Sequence, residues 1–330
     1  MTAAGTADTT DTTGAAARAG RAAREVYRDW LVARLVADQR AVCLDTDTGL
    51  FTGVDWGPAA ARYVNLGIAE QCLVGTAAGL AASGYRVYAN TMAAFAASRA
   101  VEMVKVDIAL HGLPVRIVAT HSGLSAGHLG PTHHALEDLA AMRSMPGMTV
   151  AVPADEDAVG ALLDATADAP GPVYLRLGRH ADPPPIAGGP AVRLGSLREL
   201  SIGSDALVVA TGPLPVRFAV DAARILAQDD VRVTVVDAHT VKPFDVERLV
   251  ELAAAVPLVV TVEEHWRTGG LGSLVAETLA ERCPRRVVRI GVPDTFVAAV
   301  GSQQELLAAS GVSAAAVVAA VRGADATGMS

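Results

Sequence analysis

Tyr63-Val64-Asn65-Leu66-Gly67-Ile68-Ala69-Glu70-Gln71 runs without a break into Cys72-Leu73-Val74-Gly75-Thr76-Ala77-Ala78-Gly79-Leu80-Ala81-Ala82. The front of this stretch has the pattern of a short strand. From about Glu70 through Ala82 it reads as an apolar helix, with Gly84 as its C-terminal stop. A carboxylate therefore stands where a strand hands over to a helix. The helix dipole favours an acid there whatever else that acid does, so the stretch alone does not make Glu70 a reactive group.

The flanking sequence repeats the same alternation. Upstream, Val26, Trp30, Leu31, Ala33 and Leu35 recur at helical spacing within Ala22 to Ala37. Ala41-Val42-Cys43-Leu44 then reads as a buried strand that delivers Asp45-Thr46-Asp47-Thr48-Gly49 at its carboxyl end. Downstream, strands are expected at Arg86–Ala89, Val115–Ala119, Thr149–Val152 and Val173–Leu177, and helices at Ala93–Leu110, Leu136–Arg143 and Glu156–Ala167. Strands alternating with helices predict α/β architecture with a mostly parallel, doubly wound sheet. Asp182-Pro183-Pro184-Pro185 and Gly188-Gly189-Pro190 break the pattern. A second α/β set follows, with strands at Ala206–Thr211, Val231–Asp237, Leu258–Glu263 and Val287–Ile290. Its helices are Val216–Ala227, Val246–Ala255 and Leu271–Arg282. The expected division is a disordered leader over 1–20, a first domain over 21–181, a linker over 182–200 and a second doubly wound domain over 201–330.

Composition narrows the function classes. The chain has 330 residues, of which 51% are apolar but only 4% aromatic, so two cores can be built, mostly from Ala, Val and Leu. A net charge of -8 argues against nucleic acid or an anionic membrane held by bulk charge. Cys43, Cys72 and Cys283 are too far apart for a CxxC pair or a disulfide framework, which predicts a reducing, cytoplasmic setting. No uninterrupted apolar run reaches the roughly 18 residues of a membrane span, and the Thr-, Ala- and Gly-rich start lacks the apolar segment of a secretory signal.

The second informative stretch is the segment from His121 to His134, which contains Gly123-Leu124-Ser125-Ala126-Gly127-His128-Leu129-Gly130-Pro131-Thr132-His133-His134. Four histidines fall within fourteen residues at the carboxyl end of an expected strand, where open α/β sheets bind ligands. His133, His134 and Glu137 are metal-ligand types, but adjacent histidines rarely aim at one ion. Gly270-x-Gly272 is a fragment of a nucleotide fingerprint without its third glycine.

Taken together, the Gly-Ile-Ala-Glu-Gln stretch, Gly-Pro-Thr-His at 130–133, Glu137-Asp138-Leu139 and Arg143-Ser144-Met145-Pro146 resemble the pyrimidine-binding domain of the transketolase family. Val241-Lys242-Pro243-Phe244-Asp245, Val262-Glu263-Glu264-His265 and Gly269-Gly270-Leu271-Gly272-Ser273 resemble that family's C-terminal domain. The resemblance implies a thiamine-diphosphate enzyme that moves a two-carbon ketol unit from a ketose or ketose phosphate to an aldehyde. Glu70 falls on the glutamate that activates the cofactor: its carboxyl bonds the far nitrogen of the aminopyrimidine and promotes the imino form. Phe95 falls where an aromatic ring stacks on the pyrimidine. Met92 stands where a second aromatic is common. Ile68 and Arg99 complete the implied cofactor contacts. His121, His133 and Arg179 fall on substrate-channel positions, Arg179 as a phosphate ligand, and Asp47 and His128 lie beside them.

Two departures from the family pattern carry weight. The acidic pair usual before Gly130 is His128-Leu129 here, and Leu129 accepts no hydrogen bond, so a less hydroxylated or otherwise unusual substrate is expected. The Gly-Asp-Gly stretch that holds Mg²⁺ or Ca²⁺ and the diphosphate is missing from all 330 residues. The resemblance then implies a partner chain, the N-terminal transketolase subunit with the diphosphate-binding domain, and an α2β2 heterotetramer. Two other readings stay open: a decarboxylating relative that uses a 2-oxoacid donor, and a non-catalytic partner chain.

Overall fold

The computed structural model describes residues 20–180, 184, 186 and 190–325. The expected leader lies outside the described residues except for Gly20, as does much of the Pro- and Gly-rich expected linker. The strands are β1 (Ala41–Asp45), β2 (Tyr63–Asn65), β3 (Arg86–Met92), β4 (Val115–Thr120), β5 (Thr149–Ala151), β6 (Val173–Arg176), β7 (Arg198–Ser201), β8 (Ala206–Thr211), β9 (Val233–Asp237), β10 (Thr240–Lys242), β11 (Leu258–Trp266) and β12 (Arg286–Val292). The helices are α1 (Ala23–Ala37), α2 (Glu70–Ala82), α3 (Ala93–Ala97), α4 (Val101–Met103), α5 (Asp138–Ser144), α6 (Glu156–Thr166), α7 (Pro213–Leu226), α8 (Val246–Ala254), α9 (Leu271–Arg282), α10 (Gln303–Ala309) and α11 (Ala314–Asp325).

Two sheets form. The first has the order β10-β5-β6-β4-β3-β1-β2 and the second β12-β11-β8-β9-β7. Each is parallel except for one edge strand, β10 against β5 and β7 against β9. Strands β1, β4, β8 and β9 are buried along their whole length, as expected of parallel strands covered on both faces. One face of the first sheet packs Leu73, Val74, Ala77 and Ala81 of α2 on Val42, Leu44, Val87 and Ala89. The other packs Tyr27, Leu31 and Leu35 of α1 with Leu162 and Leu163 of α6 over Cys43, Tyr88, Val118 and Leu175. The chain leaves β1 toward β2 on one side and returns to β3 on the other. The carboxyl ends of β1 and β3 therefore flank the crevice where connections diverge.

Four expectations need correction. The helix expected over Ala93–Leu110 is broken into α3, α4 and a π-helical turn over Val104–Ala109. The Ser98 hydroxyl donates back to the Ala94 carbonyl at 2.6 Å, and the Ala100 N–H reaches five residues back to Phe95, which widens the turn carrying Arg99. Arg198–Leu200, placed in the linker, belong to β7. Strand β10 comes from the second half of the sequence yet completes the edge of the first sheet. Its three residues are too short for a periodic signal. Finally, Gln303–Gly323 is 21 residues long and apolar enough by composition to span a membrane. It is divided at Gly311 (φ +77°) into α10 and α11, and α11 packs on α7 and β11.

Candidate active site at the carboxyl ends of the first sheet

Glu70 opens α2 immediately after the β2 loop, and the helix buries it to 4% exposure. Asn65 shapes that loop by accepting the Gly67 N–H at 2.8 Å, and Gly67 adopts φ +68°. Arg99, 51% exposed, donates from Nη1 to both Glu70 oxygens at 3.3 and 3.4 Å. The same guanidinium lies 4.1 Å from the centroid of the Phe95 ring. The Phe95 ring in turn meets His133 edge-on, with centroids 5.2 Å apart. A buried carboxylate and an aromatic face are thus bridged by one planar donor. An aminopyrimidine needs those two contacts, stacking on the ring and donating to the acid, so Glu70 and Phe95 fit that group. Met92 ends β3 and is half-buried just ahead of Phe95. Ile68, 74% exposed, projects from the loop before Glu70.

Beside this lies a cationic cluster. His121 follows β4 with φ +56°, a conformation uncommon outside glycine, and its Nδ1 meets the Thr120 hydroxyl at 3.0 Å. Burial first, then the charges of Arg24 and Arg179 and of His128 and His180, push the His121 imidazole down to about 3. It is neutral at physiological pH and acts by hydrogen bonding. Exposed His128 is lowered by desolvation and then by Arg179, His180 and His133. Its neutral ring can accept from Arg179 Nη1, which lies 2.8 Å from Nδ1. Such a cluster suits an anionic group on a substrate. Leu129 is 43% exposed next to it. Asp47 (φ +60°) accepts from Asn65 Nδ2 at 3.2 Å at the exposed ends of β1 and β2, while neighbouring Asp45 is buried and held by Thr48.

Not every singled-out residue joins the cluster. His134 turns away: both of its ring nitrogens are buried without a hydrogen-bond partner, and it lines a cavity of about 50 Å³ with Glu137, Trp266 and Phe296. No group of three His, Cys, Asp or Glu able to hold a metal ion gathers among the described residues. Arg24 and His180 are the residues that sequence reading missed. Nothing in the pattern of α1 marks Arg24; only the packing of α1 beside the carboxyl end of the sheet brings it near His121.

Fold and site define a two-domain, doubly wound α/β protein. Its acid, aromatic and cationic side chains converge at the carboxyl ends of the first sheet. The chain belongs to the transketolase family: residues 3–184 match the transketolase pyrimidine-binding domain and residues 195–317 the transketolase C-terminal domain. It is 37% identical over 292 residues to one subunit of the apulose-4-phosphate transketolase of Phocaeicola vulgatus, covering 88% of this chain and 93% of that one. It is 37% identical to a 6-deoxy-6-sulfo-D-fructose transketolase subunit of a Clostridium species, covering 83% and 85%. Among solved structures, a split-gene transketolase described as an inactive β4 tetramer matches at 41% identity and TM-score 0.82, covering 92% of this chain and 98% of that one. A mutant transketolase of Pichia stipitis matches at 25% identity and TM-score 0.74; this chain is covered over 94% of its own length but spans 47% of that one.

Proposed function

We propose that this chain is the pyrimidine-side subunit of a thiamine-diphosphate-dependent transketolase. A separate N-terminal subunit carries the diphosphate and its Mg²⁺ or Ca²⁺, and the two assemble as an α2β2 heterotetramer in the cytoplasm. The observation that carries this reading is the pairing of buried Glu70 with the Phe95 ring, bridged by one planar donor. The match to nearly the full length of relatives named as transketolase subunits, and to half of a single-chain transketolase, supports the split.

The bound cofactor supplies a carbanion equivalent for breaking and making the carbon–carbon bond. This chain's residues do the rest. Glu70 holds a hydrogen bond at the far pyrimidine nitrogen, for which Arg99 must give up its place. Phe95 and Met92 cover a ring face, with Ile68 at the rim. His133, beside Phe95, would contact the reacting donor, and neutral His121 would bond a substrate oxygen. Arg179 and His128 meet a phosphate or another anion.

Leu129 offers the substrate no acceptor, so the acceptor aldehyde is less hydroxylated there or carries an unusual substituent. Relatives named for apulose 4-phosphate and for a sulfonated sugar fit an anionic, unusual sugar. Expected on Leu129→Asp is a shift of about tenfold in kcat/KM toward ordinary hydroxyaldehyde phosphates. No shift between hydroxy and deoxy acceptors would remove Leu129 from the specificity argument.

The exposed face of α2 supports a seat for the partner. Gly75 and Gly79 have open space where a Cβ would stand, exposed Ile68 lies in the loop before α2, and the π-helical turn that packs on α2 carries exposed Val106 and leads into exposed Leu110. The deciding experiment is calorimetry of thiamine diphosphate with Mg²⁺ on this chain alone and on the two-subunit complex. Tight binding by the complex alone, lost in Glu70→Gln, is the expected result. Tight binding by this chain alone would refute the split site. Carbon dioxide release from a 2-oxoacid donor would replace ketol transfer with the decarboxylating reading.

A further inference from the structure

The loop that carries His121, His128, Leu129 and His133 has little regular structure of its own. Its base is closed by a two-way backbone pair: Gly123 N–H donates to the Ala135 carbonyl at 3.2 Å, and Ala135 N–H returns to Gly123 at 2.9 Å. Its outer wall lies on the second domain. The Leu124 N–H donates to Oε1 of Glu264 at 2.5 Å, and Gln303 Nε2 donates to the two Glu264 oxygens at 3.0 and 2.8 Å. Two glycines permit this approach. A Cβ on Gly123 would collide with the Glu264 carboxyl group, and one on Gly127 would fall 2.5 Å from the Gly301 carbonyl oxygen. Beneath the loop, Arg176 Nη2 donates to the carbonyls of Ala135 and Glu264 at 3.0 and 2.9 Å. The carboxylate of Glu264 is thus a buried acceptor shared between the substrate loop and α10.

We propose that Glu264 is a positioning residue for substrate recognition: from the second domain it fixes the loop through Leu124 and Gln303, and so sets where His128 and Leu129 stand against the substrate. This gives the second domain a part in a site to which this chain otherwise contributes only from its first domain, and it rests on the ketol-transfer reading. Glu264→Ala leaves the buried Leu124 N–H and the Gln303 amide without an acceptor, a loss that a dry interface does not make good. Glu264→Gln keeps a carbonyl for Leu124, and Gln303 can turn its own amide oxygen toward the new amide.

The test uses the full chain assembled with its partner subunit and compares native, Glu264→Ala and Glu264→Gln proteins by amide hydrogen exchange and steady-state kinetics with a phosphorylated acceptor. In Glu264→Ala, exchange of the amides of 122–130 should rise about tenfold or more, with the sheet strands unchanged. KM for the acceptor should rise about fivefold or more while kcat stays within about threefold. Glu264→Gln should restore both. Unchanged loop exchange in Glu264→Ala overturns the proposal. So does faster exchange with unchanged KM, or a rise spread evenly over the second domain. If the native complex transfers no ketol unit, the functional reading fails, and the exchange data still decide whether Glu264 holds the loop.

Discussion

Both sheets place acids and histidines at the carboxyl ends of their strands, and the two sets have opposite fates. At the first sheet, Glu70 and His121 lie just under the surface, with exposed Asp47 and His128 and half-exposed Arg99 around them. At the second, Asp237, Glu263 and His265 are sealed, and Glu264 is covered by Leu124 and Gln303. Glu263 accepts the Leu271 and Gly272 N–H groups that open α9, at 2.7 and 2.8 Å. A Cβ on Gly270 would overlap a Glu263 oxygen, so Gly270 and Gly272 serve the approach of this internal carboxylate, and the helix N-terminus that a nucleotide phosphate would need is already filled. His265 Nε2 accepts the Ala140 N–H of the first domain at 3.3 Å. The same architecture thus provides an open site once and an internal joint once. What separates them is whether another element covers the crevice.

The largest effect that would break this comparison is expected at Glu70. Glu70→Gln should lower kcat of the assembled enzyme by about 10² to 10⁴, while the unfolding midpoint in denaturant stays near native. The matching Glu263→Gln exchange should leave kcat within about threefold. Equal losses in both would mean that the second set is also part of the chemistry.

A smaller effect, on stability, is expected at the joint. Arg176 and Asp138 form an ion pair at 2.7 Å with side-chain exposures of 3% and 0%, and Tyr174 donates to the same carboxylate at 2.8 Å. Arg176→Met strands the buried Asp138 charge and should cost about 3–5 kcal/mol in urea unfolding. A cost near zero would mean that water reaches this joint.

The smallest effect depends on pH. Both oxygens of Asp237 are buried without a hydrogen-bond partner. Burial pushes its carboxyl up to about 8, against the pull of Arg198 and with the push of Asp155. The folded chain holds a proton that the unfolded chain releases near 4. This group therefore favours folding fully below about 4, and the advantage is lost as pH rises through about 8. Asp237→Asn should be nearly neutral at pH 5 and become increasingly stabilising as pH rises to 8.5. Denaturant midpoints at the two pH values check it; a gain that does not grow with pH contradicts a buried, protonated Asp237.

Much of this was legible in the sequence. Strand and helix alternation gave the α/β class because both periods are local, and the helix at Glu70–Ala82 falls where Gly84 (φ +89°) predicts its end. Glu70 stood out at the junction of a strand and a helix, and His121 because it follows a strand directly; the carboxyl end of a strand is where a parallel sheet presents side chains. The break in Ala93–Leu110 was not legible, since it depends on one serine hydroxyl bonding backward and on a carbonyl five residues away. Strand β10 was not legible either: three residues have no period, and their partner lies far off in the chain.

The sequence by itself determined which residues could carry chemistry and, through their family pattern, which chemistry that is. Tertiary structure decided which of them meet. His133 and His134 are neighbours in the chain, yet one touches Phe95 and the other is buried beside Glu137. Arg24 reaches His121 across most of the first domain's sequence, and Glu264 reaches Leu124 from the other domain. Local sequence sets backbone period and residue type. Proximity across the chain, and with it the loss of water that gives a carboxylate or imidazole its function, comes only from packing.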